Sequence, residues 1–112
     1  MNAGNMDVER WKSLSLMEQM ANIGSEVGRT AKWKRKANSD LAESAFRRAL
    51  DLFDLTLEYG RLGLPLRDPM LRELCRAREY FCGAYEESDL EALTWLEKYF
   101  GYFAMAWRRG KG

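Results

Sequence analysis

Residues 15–36 read Ser15-LMEQMANIGSEVGRTAKWKR-Lys36, and this stretch decides the fold class. Its apolar residues Leu16, Met20, Ile23 and Val27 recur at steps of four, three and four, which is the period of one helix face. Met17, Ala21, Gly24, Gly28 and Ala31 form a second row beside them, so the expected buried face is wide. Two glycines inside a helix cost roughly 1 kcal/mol each against alanine. A neighbouring helix that needs the backbone close at that row is the physical reason to keep them. Ser15 followed by Glu18 fits a capping box, with Ser13 as the alternative start. The helix runs to about residue 37, and its basic end, Lys32, Lys34, Arg35 and Lys36, suits the negative end of the helix dipole.

Working outward, residues 1–12 mix Asn, Gly and charge without a stable period, so a loose N-terminal arm is expected. One turn fits around Val8 to Trp11, with the Trp11 indole tucked onto the rest. Asn38, Ser39 and Asp40 are all suitable N-caps for a second helix that runs to Tyr59 and stops at Gly60. Its core row is Ala42, Ala45 or Phe46, Ala49, Phe53 and Thr56. Residues 60–69 hold both prolines and three leucines, which predicts a connection folded across one end of a bundle. Asp68 and Pro69 read as cap and first position of a third helix reaching Tyr85, with Leu71, Leu74, Cys75, Arg78, Phe81, Cys82 and Tyr85 on one face. Ser88 with Glu91 reads as a second capping box, opening a fourth helix to about Arg109.

That last helix carries Leu93, Leu96, Phe100, Phe103 and Trp107 at the alternating spacing of a bundle seam. Trp95, Tyr99, Tyr102 and Met105 lie elsewhere on its circumference. So much aromatic surface outside the seam predicts an interface, and a homodimer formed through this helix, with the first helix as a further contributor, is the expected use. No stretch alternates in the manner of a strand. The whole reading is all-α: one domain over residues 1–112, an antiparallel up-and-down four-helix bundle.

Composition narrows function by exclusion. Eighteen basic and 17 acidic residues leave a net charge of +1, so bulk electrostatics demand no nucleic acid. No apolar run approaches a membrane span, and the N-terminus has no leader pattern, so a cytoplasmic protein is expected. Cys75 and Cys82 lie about 10 Å apart along one helix, too far for a disulfide, and read as packed, reduced thiols. Histidine is absent. Ser13, Ser15, Ser25 and the cysteines therefore lack the usual general base, and the histidine-containing metal bundles are unavailable. Asp51, Asp54 and Glu58 share a helical face, but magnesium is the one ion they suit, and neither a metal nor a cofactor is expected. No enzyme activity is expected.

Two constellations compete with simple scaffolding. Arg78 sits on the inward stripe of the third helix, where a buried guanidinium needs a carboxylate that Glu26, Asp54 or Glu58 can supply. Glu26 and Arg29, beside the two glycines, join it as candidate ligand-binding residues. The second is a basic pole of Lys32, Trp33, Lys34, Arg35 and Lys36, which in an up-and-down bundle faces Glu86, Glu87, Asp89 and Glu91. Mutual charge compensation is the plainer reading of that pole, and RNA binding the sharper one.

The size, the helix order and the segment Arg72-Glu73-Leu74-Cys75-Arg76-Ala77-Arg78-Glu79-Tyr80-Phe81 resemble the small prokaryotic four-helix proteins of the HEPN type, including those that partner minimal nucleotidyltransferases. Catalytic HEPN ribonucleases carry an arginine followed after four to six residues by histidine. Here those places hold Gly83, Ala84 and Tyr85 counted from Arg78, and Phe81, Cys82 and Gly83 counted from Arg76. The resemblance therefore implies a non-catalytic helical partner that binds another protein or positions a substrate, with a degenerate nuclease centred on Arg78 as the alternative. Ala42 to Leu52 is also similar to one helix of a tetratricopeptide repeat, without a second copy.

Overall fold

The computed structural model describes residues 8–59 and 69–111, the side chains at 107, 108, 110 and 111 excepted. All of it outside the turns is helical: α1 Val8–Ser13, α2 Leu16–Arg35, α3 Ser39–Tyr59, α4 Pro69–Glu87 and α5 Leu90–Lys111. The protein is an all-α bundle of five helices, with no strand among the described residues. The expected count of four is corrected by α1, which occupies part of the arm expected to be loose. The glycine-, proline- and leucine-rich connection, the Asp68 cap, the Trp107 side chain and the first seven residues lie outside the described residues.

α2 is the central element, packed along α3 on one side and α5 on the other, while α4 meets α3 and α5 over a shorter contact. Its capping box forms as the sequence predicts: the Glu18 N–H donates to Ser15 Oγ at 3.1 Å, and the Ser15 N–H donates to the Glu18 carboxylate at 3.0 Å. Met20, Ile23, Val27 and Ala31 are fully buried, whereas Met17 is exposed, so the second row is narrower than its spacing suggested. At Gly24 the close approach is real. A Cβ there would lie 2.6 Å from Phe100 Cβ, well inside contact distance, whereas at Gly28 it would meet only the flexible Glu97 carboxylate at 3.5 Å. Helix α5 thus rests on the α2 backbone at one glycine, not two.

Phenylalanines knit the remaining helices. Phe53 on α3 meets Phe81 on α4 at 5.9 Å and Phe100 on α5 edge-on at 5.7 Å, all three fully buried. Edge-on and offset rings bring the positive rim of one aromatic against the negative face of another, adding to the burial. Phe46 stacks flat on Tyr85 at 3.9 Å and extends the cluster toward the turns.

Helix α1 is held by its tryptophan. Trp11 is fully buried, and its Nε1–H donates to Thr56 Oγ1 on α3 at 3.2 Å. Gln19 on α2 donates from Nε2 at 2.9 Å to the Trp11 carbonyl, which also accepts from the Leu14 N–H at 3.1 Å, so the end of α1 is tied to α2.

Two short turns share one design. Ala37 after α2 and Ser88 after α4 adopt left-handed backbone, with φ of 57° and 52°. Each reverses the chain by handing the following N–H back to the helix it leaves: Asn38 N–H to the Trp33 carbonyl and Asp89 N–H to the Ala84 carbonyl, both 2.9 Å. The same two residues cap the next helix, Asn38 Oδ1 accepting from the Leu41 N–H and Asp89 Oδ1 from the Ala92 N–H. The capping box expected at Ser88 and Glu91 is therefore corrected by one residue: Ser88 is consumed in the turn, and Asp89 is the cap.

Candidate protein-docking surface

On α5 the seam residues Leu93, Leu96 and Phe100 are fully buried, and the residues between them must face outward. Trp95 is 55% exposed and Tyr102 68% exposed, with Met105 also open to solvent. Tyr80 of α4, 49% exposed, turns its ring edge-on to Trp95 at 5.7 Å. Trp95 in turn lies nearly parallel to Tyr99 at 5.5 Å. Tyr99 is the fixed member of the group: its hydroxyl donates to Glu73 Oε1 at 2.7 Å, locking the ring between α4 and α5. Burial of the phenol, reinforced by the Glu73 carboxylate that accepts its hydrogen bond and repels its anion, pushes its pKa well above the usual tyrosine range.

These rings, with Glu73, Arg76 and Ala77, line an open and mainly apolar cleft of about 420 Å³ between α4 and α5. A second, shallower concavity of about 370 Å³ runs along α5 itself, lined by Leu90, Glu91, Thr94, Trp95 and Lys98. Large aromatic area and one rigid ring, with Glu73 and Arg76 as the charged members of the lining, make a surface suited to burying a largely apolar partner. Of the interface residues expected from sequence, Trp95, Tyr102 and Met105 stand exposed, while Tyr99 is half-buried in its own chain. Tyr80 and Glu73 were missed, because each lies off the apolar stripe of α4 and gains its place only from the neighbour that α5 supplies.

The polar triad of Glu26, Arg29 and Arg78 does not come together. Glu26, whose side chain is 13% exposed, accepts from Arg29 at 2.9 Å and from Arg48 of α3 at 3.2 Å. Arg48 escaped the sequence reading because its partner lies on another helix. Arg78 bonds to Asp54 of α3, one of the three carboxylates expected for it, Nε to Oδ1 at 2.9 Å, and its side chain is 31% exposed. The expected buried guanidinium is thus corrected to a partly solvated ion pair. The reason is that α4 buries only the narrow row Leu71, Leu74, Phe81 and Ala84, and a long side chain at the edge of that row reaches water. The same narrowness leaves Cys75 exposed and Cys82 half-buried, not packed as expected. Partial burial raises the Cys82 pKa, against the smaller opposing pull of Arg78. No group of three cysteine, aspartate or glutamate residues suited to a metal occurs among the described residues.

At the basic pole, partners come from within the chain. Lys34 donates to Ser88 Oγ at 2.9 Å and lies 4.3 Å from the Tyr85 ring. Arg35 donates to Thr94 Oγ1 at 2.8 Å and pairs with Glu97 at 2.9 Å. Glu97, six residues and nearly two turns further along α5 than the expected Glu91, is therefore the acidic partner that Arg35 takes. Lys32 and Lys36 lie over the half-buried Trp33 ring at 4.8 and 5.7 Å.

Comparison with protein-family models, with curated proteins and with solved structures found no match to this chain.

Proposed function

We propose that the protein is a non-catalytic scaffold module that works by self-association through the outer face of α4 and α5. In this reading α2 to α5 form an antiparallel up-and-down bundle dressed by α1. Its support is the falling order of the contacts, with Arg35 of α2 against Thr94 of α5 and Gly24 against Phe100. The observation that carries the function is the Tyr80, Trp95 and Tyr99 group with Tyr102 beside it: an aromatic surface exposed on one side of the molecule and organised around a fixed ring. Contiguous apolar patches of this kind on a small domain mark interaction sites.

The RNA-binding reading of the basic pole has less support. Arg35 is neutralised by Glu97, Lys34 is tied to Ser88, and the Trp33 ring that would stack on a base carries two lysines. The nuclease reading has less again, since Arg78 is engaged by Asp54 and no histidine is available to act with it. Sedimentation equilibrium of the full chain at micromolar concentration is expected to give twice the 13.0 kDa of one chain. Trp95→Ala combined with Tyr102→Ala should weaken that association by about tenfold or more, as loss of central aromatic anchors does elsewhere, with the helical circular dichroism unchanged. A 13.0 kDa species alone in the wild type would overturn the reading.

A further inference from the structure

The outward surface of α5 has a pattern that limits how a second copy can sit on it. Glu91, Thr94, Trp95 and Lys98 stand at i, i+3, i+4 and i+7, the four corners of a hole in the knobs-into-holes sense. They line the concavity along α5, which is open to solvent, with Arg35 of α2 reaching only its Thr94 corner. Trp95, at one corner, is also the largest exposed side chain among the described residues of the helix. The surface therefore presents a hole and a knob at the same level.

The charges at the other corners are self-complementary. Glu91 and Lys98 are both exposed, and neither forms an ion pair among the described residues, although Arg35, Arg48 and Arg78 all do. They lie seven residues apart, about 10 Å along the axis, with Thr94 and Trp95 midway. A two-fold axis between positions 94 and 95 relates an antiparallel copy of α5 so that Glu91 faces Lys98 of that copy and Lys98 faces its Glu91. The same operation carries Trp95 of each copy to the hole of the other. A parallel copy in register would instead set Glu91 against Glu91 and Lys98 against Lys98, which repel.

We propose that α5 is the dimerisation helix and that it crosses its own copy antiparallel at Thr94 and Trp95, with two reciprocal Glu91–Lys98 pairs at the edge of a tryptophan-centred contact. This rests on the self-association reading above and specifies its partner and register. Such an isologous contact buries the same patch of both subunits and closes on itself, so it yields dimers and no filament. The edge pairs contribute register more than affinity, because exposed ion pairs are worth little individually, whereas like charges placed opposite each other are repelled at two points at once.

The test is a charge-reversal set in the full chain, read by sedimentation equilibrium at low and high salt: Glu91→Lys, Lys98→Glu and the double variant. Each single reversal sets two like-charged pairs across the axis and is expected to raise the dimer Kd about tenfold, an effect that shrinks at high salt. The double reversal should bring the Kd back to within about threefold of the wild type. Both substitutions are at exposed positions, and unchanged thermal melting of the three variants confirms that the fold survives. If the wild type dimerises and Trp95→Ala weakens it, but single reversals do nothing or the double variant fails to recover, the proposed crossing is wrong while the aromatic-face reading stands. If the wild type is monomeric throughout, both fall together.

Discussion

Gly24 and Gly28 look equivalent in the sequence, four residues apart in one small-residue row, yet the space around them differs. At Gly24 an added methyl collides with the Phe100 Cβ, an atom fixed to the α5 backbone that cannot swing away. Gly24→Ala is therefore expected to destabilise the protein by about 1–3 kcal/mol, the overpacking cost outweighing the gain in helix propensity. At Gly28 the methyl makes ordinary contact with the movable end of Glu97, so Gly28→Ala should raise stability by up to about 1 kcal/mol. Urea denaturation of the two variants tests the pair. Equal effects of the same sign would show that α5 does not approach α2 as described.

Among the elements, α1 is the one that owes its existence to tertiary contact. Six residues cannot sustain a helix alone, since nucleation fixes several residues for a single hydrogen bond. The fully buried Trp11 indole, its bond to Thr56 and the Gln19 amide on the Trp11 carbonyl supply what is missing. Trp11→Ala should cost about 3–5 kcal/mol and release α1. Hydrogen exchange checks it: the amides at the end of α1, Lys12 to Leu14, should lose protection first, while those of α2 between Met20 and Ala31 retain theirs relative to the global opening. Thr56→Val should cost less, about 1 kcal/mol, because it removes only the acceptor.

At the scale of the whole molecule, stability carries a signature of the Tyr99–Glu73 contact in its alkaline limb. The Tyr99 phenol, desolvated and bonded to Glu73, holds its proton more tightly in the folded chain than in the unfolded one. Its contribution is fully present below the ordinary tyrosine pKa of about 10 and is lost as the pH rises beyond it, because the unfolded state ionises first. The urea midpoint should therefore fall above about pH 10, and Tyr99→Phe should make that fall shallower while lowering the midpoint modestly at neutral pH. An alkaline slope unchanged by Tyr99→Phe would count against the Tyr99–Glu73 lock. Cys82, whose pKa burial also raises, acts in the same direction and remains in both proteins.

The periodic rows were legible because the helix repeat is local: Met20, Ile23, Val27, Phe53, Leu93 and Phe100 are buried where their spacing put them, and the Ser15–Glu18 box is a four-residue event. Repeats of this kind, with no alternating stretch, were enough to determine an all-helical bundle. Which of two glycines is essential, that Asp89 and not Ser88 caps α5, that Arg78 finds Asp54, that Glu26 gathers Arg29 and Arg48, and that Tyr80 joins Trp95 and Tyr99 were decided only by the tertiary structure. Each of those outcomes depends on the rotation and depth of a second helix, a matter of a few ångströms between residues distant in the chain, and spacing along a single helix carries no information about it.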